Sequence, residues 1–200
     1  MQIDFLFDFS SPNAYLAHKM VAGIEARTKQ TITYVPCLLG GIFKATNNQS
    51  PLQTNAKIAN KIAYDWMDFK RFVKRNALGD FHFNTHFPLN SLFLMRAAIA
   101  EQNRGALNAF VDVGMRLAWE QDLNVHDTDA TIDALNKAGY DGAALFEESQ
   151  SSEIKAQLFE NTNAAVARGA FGMPTFYVED AMFFGKERLH DVEQEIIARL

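Results

Sequence analysis

Residues 3–16 combine a strand pattern with the start of a helix. Phenylalanines stand at every second position from Phe5, the spacing of a strand with one fully buried face. The alternation ends at Ser11, a preferred helix N-cap, and Pro12 is tolerated as the first helical residue because its missing N–H would be unpaired there. The sequence therefore predicts a strand that leads directly into a helix, which we expect to end near Arg27.

This arrangement places the Ser11 hydroxyl at a helix N-terminus. Free N–H groups and the positive end of the helix dipole favour an anion at such a position, and a thiolate, a carboxylate or a phosphate would suit it. A purely structural interpretation is that Ser11 only caps the helix. The local pattern leaves both interpretations open.

The composition limits the classes of protein. The 200 residues, 48% of them hydrophobic, suffice for one domain with a sizeable core. A net charge of −5 argues against nucleic acid as a partner, since binding phosphates requires a basic surface. No signal peptide and no apolar run of membrane-spanning length are visible. Cys37 is the single cysteine, so we expect no intramolecular disulfide, a core role for this thiol and a cytoplasmic location.

Strand patterns recur near both ends of the chain. The β-branched and aromatic residues of 31–36 predict a second strand, parallel to the first because a helix connects the two. Residues 175–179 and 182–184 predict a β-hairpin, and a final helix with one apolar face follows.

The middle of the chain carries helical patterns and almost no strand signal. The sequence predicts an α/β fold in which 1–41 and 169–200 form one sheet-containing domain and 42–168 is an inserted helical domain. Within the insertion we expect a polar loop over 44–51 and a helix capped by Ser152.

Gly172-Met173-Pro174-Thr175 is the second informative stretch. A proline that follows a glycine closely and directly precedes a strand favours a cis peptide bond. Together with the order of strands and helices and the Ser-Pro helix start, this stretch resembles the thioredoxin fold, in which a cis-proline loop faces the first helix. The large helical insertion resembles the DsbA-like branch of that fold.

Redox members of that branch carry Cys-x-x-Cys where this chain has Ser11 to Ala14. Without either sulfur the chain cannot be a dithiol oxidoreductase by that mechanism. With serine at the first position, the chain resembles the kappa-class glutathione transferases and the 2-hydroxychromene-2-carboxylate isomerases. Five segments carry this resemblance in order: residues 8–12, 39–44, 87–91, 171–175 and 184–189.

The resemblance implies a glutathione site. The hydroxyl of Ser11 would donate a hydrogen bond to the glutathione thiolate and so lower the pKa of that thiol. The backbone of Met173, before the cis bond to Pro174, would pair with the cysteine of glutathione in an extended manner. Asn48 matches a position that contacts glutathione from the inserted segment, although a plain turn residue is the alternative.

The resemblance assigns the γ-glutamyl end of glutathione to Phe184, Gly185, Lys186 and Glu187. Family members usually have a small polar residue and an aspartate at the last two positions. Glu187 retains an acid that can meet the α-ammonium of the ligand. Lys186 is the larger departure, and its side chain is expected either to turn to solvent or to meet the ligand's α-carboxylate.

Lys44, Asn55 and Phe87 match positions that contact the aromatic carboxylate substrate of the isomerases. For Lys44 and Asn55, a solvated lysine and an asparagine at a turn or helix start are equally compatible with the sequence. We expect no metal site, since His82 and His86 lie next to a Phe-Pro pair and not on a helix.

The resemblance thus implies a glutathione-dependent isomerase that acts on 2-hydroxychromene-2-carboxylate or a related small aromatic carboxylate, and a homodimer. One alternative is a kappa-class-like glutathione transferase or peroxidase, which would use the same residues around the thiol. A third possibility is a thioredoxin-fold binding module without chemistry.

Overall fold

The computed structural model describes residues 1–200 and contains one four-stranded mixed sheet. β1 (Ile3–Phe7) pairs in parallel with β2 (Thr33–Pro36), and β3 (Thr175–Val178) pairs antiparallel with β1 and with β4 (Ala181–Phe184). The predicted strand–helix–strand unit and the hairpin are confirmed. In spatial order the strands are β2, β1, β3 and β4.

Ten α-helices surround the sheet, and eight of them lie between β2 and β3 in the chain, the first beginning at Leu39, before the predicted boundary at residue 42. A short 3-10 turn, Lys186–Arg188, precedes the last helix. The helices are α1 (Pro12–Thr28), α2 (Leu39–Thr46), α3 (Pro51–Thr54), α4 (Ala59–Arg75), α5 (Leu92–Asn103), α6 (Leu107–Trp119), α7 (Thr128–Lys137), α8 (Gly142–Ser149), α9 (Ser152–Ala167) and α10 (Leu189–Ala198).

β1 is buried on both faces, whereas its alternating pattern predicted a single buried face. Phe5 and Phe7 enter the main core of 38 residues, while Leu6 points into a second core of seven residues between the sheet and helices α2 and α9. Asp4 is buried because its carboxylate pairs with Arg168 at 2.6 Å. A strand covered on both faces has no solvent side on which to carry unpaired polar residues.

Asp8 fixes the end of β1. This residue is 1% exposed, and its carboxylate accepts hydrogen bonds from the N–H of Ser10 and of Leu39, both at 2.8 Å, and from the hydroxyl of Ser91. Burial raises the pKa of Asp8, and these hydrogen bonds offset only part of that increase. One carboxylate thus ties the end of β1 to the starts of α2 and α5.

Helix α2 begins at Leu39 and includes Lys44, so the predicted loop over 44–51 starts too early. The Leu39 N–H at the helix start is satisfied by Asp8. Gly41 permits close packing, because a Cβ there would lie 2.9 Å from Thr162 Cγ2 on α9. These two contacts come from distant parts of the chain and outweigh the low helix propensity of two successive glycines.

Serine caps set the starts of two further helices. The N-cap of α9 is Ser151, whose hydroxyl accepts from the N–H of Ile154, and not Ser152 as predicted. The separate short helix α3 precedes α4 and begins after Ser50, which forms a capping box with Gln53.

Replacing Asp8 by alanine should lower the free energy of unfolding by about 2 to 4 kcal/mol, since one buried and two partly buried donors would lose their acceptor. Ser91→Ala removes one donor and leaves the carboxylate its two backbone partners, so a loss of about 1 kcal/mol is expected. Urea unfolding of the two variants measures both values. Equal losses would contradict the central role of the carboxylate.

Candidate active site

Ser11 occupies the N-cap of α1, as predicted, and is only 3% exposed. Its Oγ accepts a hydrogen bond from the Ala14 N–H at 3.1 Å. Proline stands at the first helical position and has no N–H, while the N–H of Asn13 makes no hydrogen bond within the chain. The start of α1 therefore presents a hydroxyl and an unused backbone donor.

The loop before β3 lies against this helix start. The peptide bond between Met173 and Pro174 is cis, and the Ser11 hydroxyl donates to the Met173 carbonyl at 3.4 Å. The Met173 N–H makes no hydrogen bond within the chain. The backbone of Met173 thus keeps one free donor and a carbonyl that is held by a single long bond.

Sheet topology explains why residues 162 positions apart meet. β1 and β3 are antiparallel, and Leu6 is paired with Thr175, so the end of β1 lies beside the start of β3. β4 returns to the same edge, where Phe184 is paired with Thr175 and the Gly185 N–H donates to the Pro174 carbonyl at 2.9 Å. Three chain segments therefore converge on one edge of the sheet.

Two partly exposed aromatic rings border this edge. Phe171 and Phe184 are 38% and 39% exposed, and their ring centroids lie 4.4 Å apart. Gly172 lets them approach, because a Cβ there would lie 2.9 Å from the Phe184 ring. Asn48, from the segment after α2, donates its side-chain amide to the Phe171 carbonyl at 2.8 Å. Asn48 is thereby fixed beside the cis-proline loop.

Lys186 is buried, with a side chain 5% exposed, and does not turn to solvent. Its ammonium forms an ion pair with the carboxylate of Glu187. The same ammonium lies 5.7 Å and 5.3 Å from the ring centroids of Phe69 and Phe72 on α4. The solvent-exposed alternative for Lys186 is therefore wrong, whereas the Glu187 side chain is 54% exposed.

The three residues expected at the substrate are distributed more widely. Lys44 is exposed on α2 and forms no ion pair. Asn55 is buried and donates to the Asp65 carboxylate at 3.2 Å. Phe87 lies in an aromatic cluster, with its ring centroid 5.1 Å from Phe83. None of the three forms a hydrogen bond with Ser11 or Met173.

Sequence reasoning assigned no role to two residues of this region. The Oδ1 atom of Asn13 is buried without a hydrogen-bond partner, next to the unused N–H of the same residue. Phe171 packs against Phe184 with the two rings tilted by 47°, and its carbonyl accepts the hydrogen bond from Asn48. Only their positions in the sequence could have indicated these two residues. Asn13 follows the Ser-Pro helix start, and Phe171 directly precedes the Gly-Met-Pro stretch.

The Cys37 thiol forms no hydrogen bond with Ser11 or Met173, although Met173 belongs to the same second core. Cys37 is buried in the second core, and burial raises the pKa of its thiol, in agreement with the expected core role. No three histidine, cysteine, aspartate or glutamate side chains are grouped so that they could hold a metal ion. No helix has the length and apolar character needed to cross a membrane.

A family model described as the DSBA-like thioredoxin domain matches residues 2–197. A 2-hydroxychromene-2-carboxylate isomerase of Sphingobium xenophagum is 27% identical over 98% of this chain and 97% of its own length. The kappa 1 glutathione S-transferase of Rattus norvegicus is 26% identical over 94% of this chain and 87% of its own length.

Among solved structures, that of a 2-hydroxychromene-2-carboxylate isomerase superimposes with a TM-score of 0.84 at 26% identity. The match covers all of this chain and 95% of the other. These comparisons confirm the predicted thioredoxin-like fold with its helical insertion.

Gly185→Ala should lower the free energy of unfolding by about 1–3 kcal/mol, because the backbone conformation there is essentially restricted to glycine. Its φ is 98° and its ψ 154°, and a Cβ would also lie 2.9 Å from the Glu187 carboxylate. Hydrogen exchange at the amide of residue 185 should accelerate as its bond to the Pro174 carbonyl loosens.

Gly105→Ala is the matched control, since Gly105 also has a positive φ of 75° but no atom near its Cβ position. We expect this variant to be less stable without faster exchange at the amide of residue 185. Unchanged exchange there in Gly185→Ala would show that the Gly185 hydrogen bond does not hold the loop.

Proposed function

The chain belongs to the DsbA-like thioredoxin domain family, and on this basis we propose that it is a glutathione-dependent enzyme in which Ser11 activates the bound thiol. One observation carries the proposal. The Ser11 hydroxyl, the start of α1 and the backbone of Met173 converge, while the N–H groups of Asn13 and Met173 have no partner in the chain. Unused donors at a helix start suit an anionic sulfur.

Ser11 can exchange its present acceptor at low cost. Its bond to the Met173 carbonyl is 3.4 Å long and therefore weak, and a thiolate is a stronger acceptor than a carbonyl. Donation from Ser11 and the field of α1 both favour the ionised thiol and lower its pKa. Ser11 thus serves as a hydrogen-bond donor and not as a covalent nucleophile, since no histidine contacts it.

Backbone pairing positions the ligand in this proposal. The unpaired N–H of Met173 and its weakly bonded C=O can pair with the peptide-like backbone of glutathione. Asn48 and Phe184 flank the same loop and would contact the remainder of the tripeptide. Gly185 and Glu187 would hold the γ-glutamyl end, where the half-exposed Glu187 carboxylate suits an ammonium group.

For the reaction, we propose isomerisation of 2-hydroxychromene-2-carboxylate or a related aromatic carboxylate. Support comes from the isomerases among the relatives and from the extent of the structural match. When bound, glutathione supplies a thiolate that adds reversibly to an electrophilic carbon. Lys44, an unpaired cation, would attract the substrate carboxylate, and Asn55 and the aromatic cluster around Phe87 would border the substrate.

A kappa-class-like glutathione transferase is the second candidate. It is favoured by relatives of that name in Caenorhabditis elegans and Rattus norvegicus, each 26% identical. Ser11 and Met173 would have the same roles in both reactions. The two candidates differ in whether glutathione is consumed.

Ser11→Ala should raise the pKa of the bound glutathione thiol by about one to two pH units, the equivalent of a charge-assisted hydrogen bond worth about 1.5–3 kcal/mol. Ultraviolet absorbance of the thiolate during a pH titration of the complex measures this pKa. An unchanged pKa in the variant would show that Ser11 is only a helix cap.

Ser151→Ala is the control that separates the effect of Ser11 on the thiol pKa from its effect as a helix cap. Ser151 caps α9 through the same type of bond, to the Ile154 N–H, and lies outside the candidate site. Both substitutions remove one N-cap and should destabilise the protein by about 1 kcal/mol. Only Ser11→Ala is expected to shift the thiol pKa.

Limiting glutathione distinguishes the two reactions. With 2-hydroxychromene-2-carboxylate in large excess over glutathione, an isomerase should convert all of the substrate because the thiol is regenerated. A transferase stops after one equivalent and leaves a thioether that mass spectrometry detects. Absence of turnover in the presence of saturable glutathione binding would contradict the proposed substrate.

A further inference from the structure

Lys186 is a buried cation for which the proposed chemistry has no use. Only 5% of its side chain is exposed, and its ammonium is balanced by Glu187 and by the ring faces of Phe69 and Phe72. Burying an ammonium group is costly unless it is paired. A methionine would fill the same space without that cost. The cation therefore has a role beyond filling the core.

Helix α4 is weakly attached to the remainder of the molecule. No hydrogen bond or ion pair joins its residues to any residue outside 50–78, and Phe72 is its single buried residue. Aromatic packing supplies the other contacts, with the Trp66 and Phe69 rings 4.8 Å and 5.1 Å from Phe83 and Phe81. A helix held by one aromatic face can open without disturbing the sheet.

The contact made by Lys186 connects this helix to the candidate site. Lys186 directly follows Gly185, whose N–H binds the Pro174 carbonyl. Pro174 in turn follows Met173, the acceptor of the Ser11 hydroxyl. A short, continuous series of contacts therefore links α4 to the cis-proline loop.

We propose that Lys186 is a positioning residue that holds α4 in place through its contacts with Phe69 and Phe72. Helix α4 then acts as a cover beside the candidate site that can open and close. In the closed state the cover keeps Trp66 and Phe69 in the aromatic cluster that contains Phe83. This attachment of α4 by Lys186 does not depend on any ligand. Its consequence, that the cover shapes the pocket for the aromatic substrate, rests on the proposed function.

Hydrogen exchange of the ligand-free, 200-residue protein tests whether Lys186 holds α4. Lys186→Met retains the length of the side chain but removes its charge, and we expect exchange in residues 59–75 to accelerate about tenfold while β1 and β3 are unchanged. Lys186→Arg retains a cation over the rings and should restore most of the protection. Exchange in 59–75 equal to that of the wild type in Lys186→Met would overturn the proposal.

Arg188→Met is the matched control. Arg188 lies in the same turn, but its side chain is 61% exposed and pairs with Asp191. Its replacement should leave exchange of α4 unchanged. Equal acceleration in both variants, or acceleration spread over the whole sheet, would mean general destabilisation and would also overturn the proposal.

Phe69→Leu provides a test that leaves Lys186 in place, should its replacement prevent folding. The variant removes one ring face, so α4 should again open more often. Quenching of Trp66 fluorescence by acrylamide, compared with the wild type, should increase. Unchanged quenching would contradict a fastening through the rings.

A glutathione titration of the same variants separates positioning from direct contact. A positioning role predicts that Lys186→Met does not weaken glutathione binding by more than about threefold. A loss of affinity above about tenfold with unchanged α4 exchange would make Lys186 a ligand contact instead. If the wild type binds no glutathione, the proposed function fails, while the exchange result still decides whether Lys186 holds α4.

Discussion

The buried carboxylate of Asp8 holds the chain at the point where β1 ends and the candidate site begins. Its oxygens bind the starts of α2 and α5, and its own backbone carbonyl accepts from the Ser11 N–H at 3.0 Å. The direction in which α1 leaves the sheet is therefore set by contacts with distant segments. Burial opposes ionisation of Asp8, so this anchor depends on all of its donors being present.

From that anchor, the antiparallel pairing of β1 with β3 determines the site. It brings the start of α1 to the loop before β3 and leaves the backbone of Met173 partly unpaired. The chain lacks the cysteines of a dithiol site, so any sulfur chemistry at this edge needs a thiol from a bound ligand. The serine hydroxyl and the helix start are suited to stabilising that sulfur as an anion.

Helix α4 and Lys186 add a mobile element to this rigid edge. The strands β1 and β3 and one face of α1 are buried, whereas α4 is held by aromatic rings and one buried cation. A fixed site for the thiol and a movable wall for a second ligand would let the enzyme exchange one ligand while it retains the other.

Local patterns in the sequence determined the strands, the cap at Ser11, the hairpin and the cis-proline position, because capping, periodicity and turn chemistry act over a few residues. Only the tertiary structure decided that both faces of β1 are buried, that two glycines enter α2 and that Lys186 lies under α4. Each of these depends on partners far away in the chain, such as Arg168, Thr162 and Phe72. Burial and pairing of that kind follow from packing between elements, which no local pattern encodes.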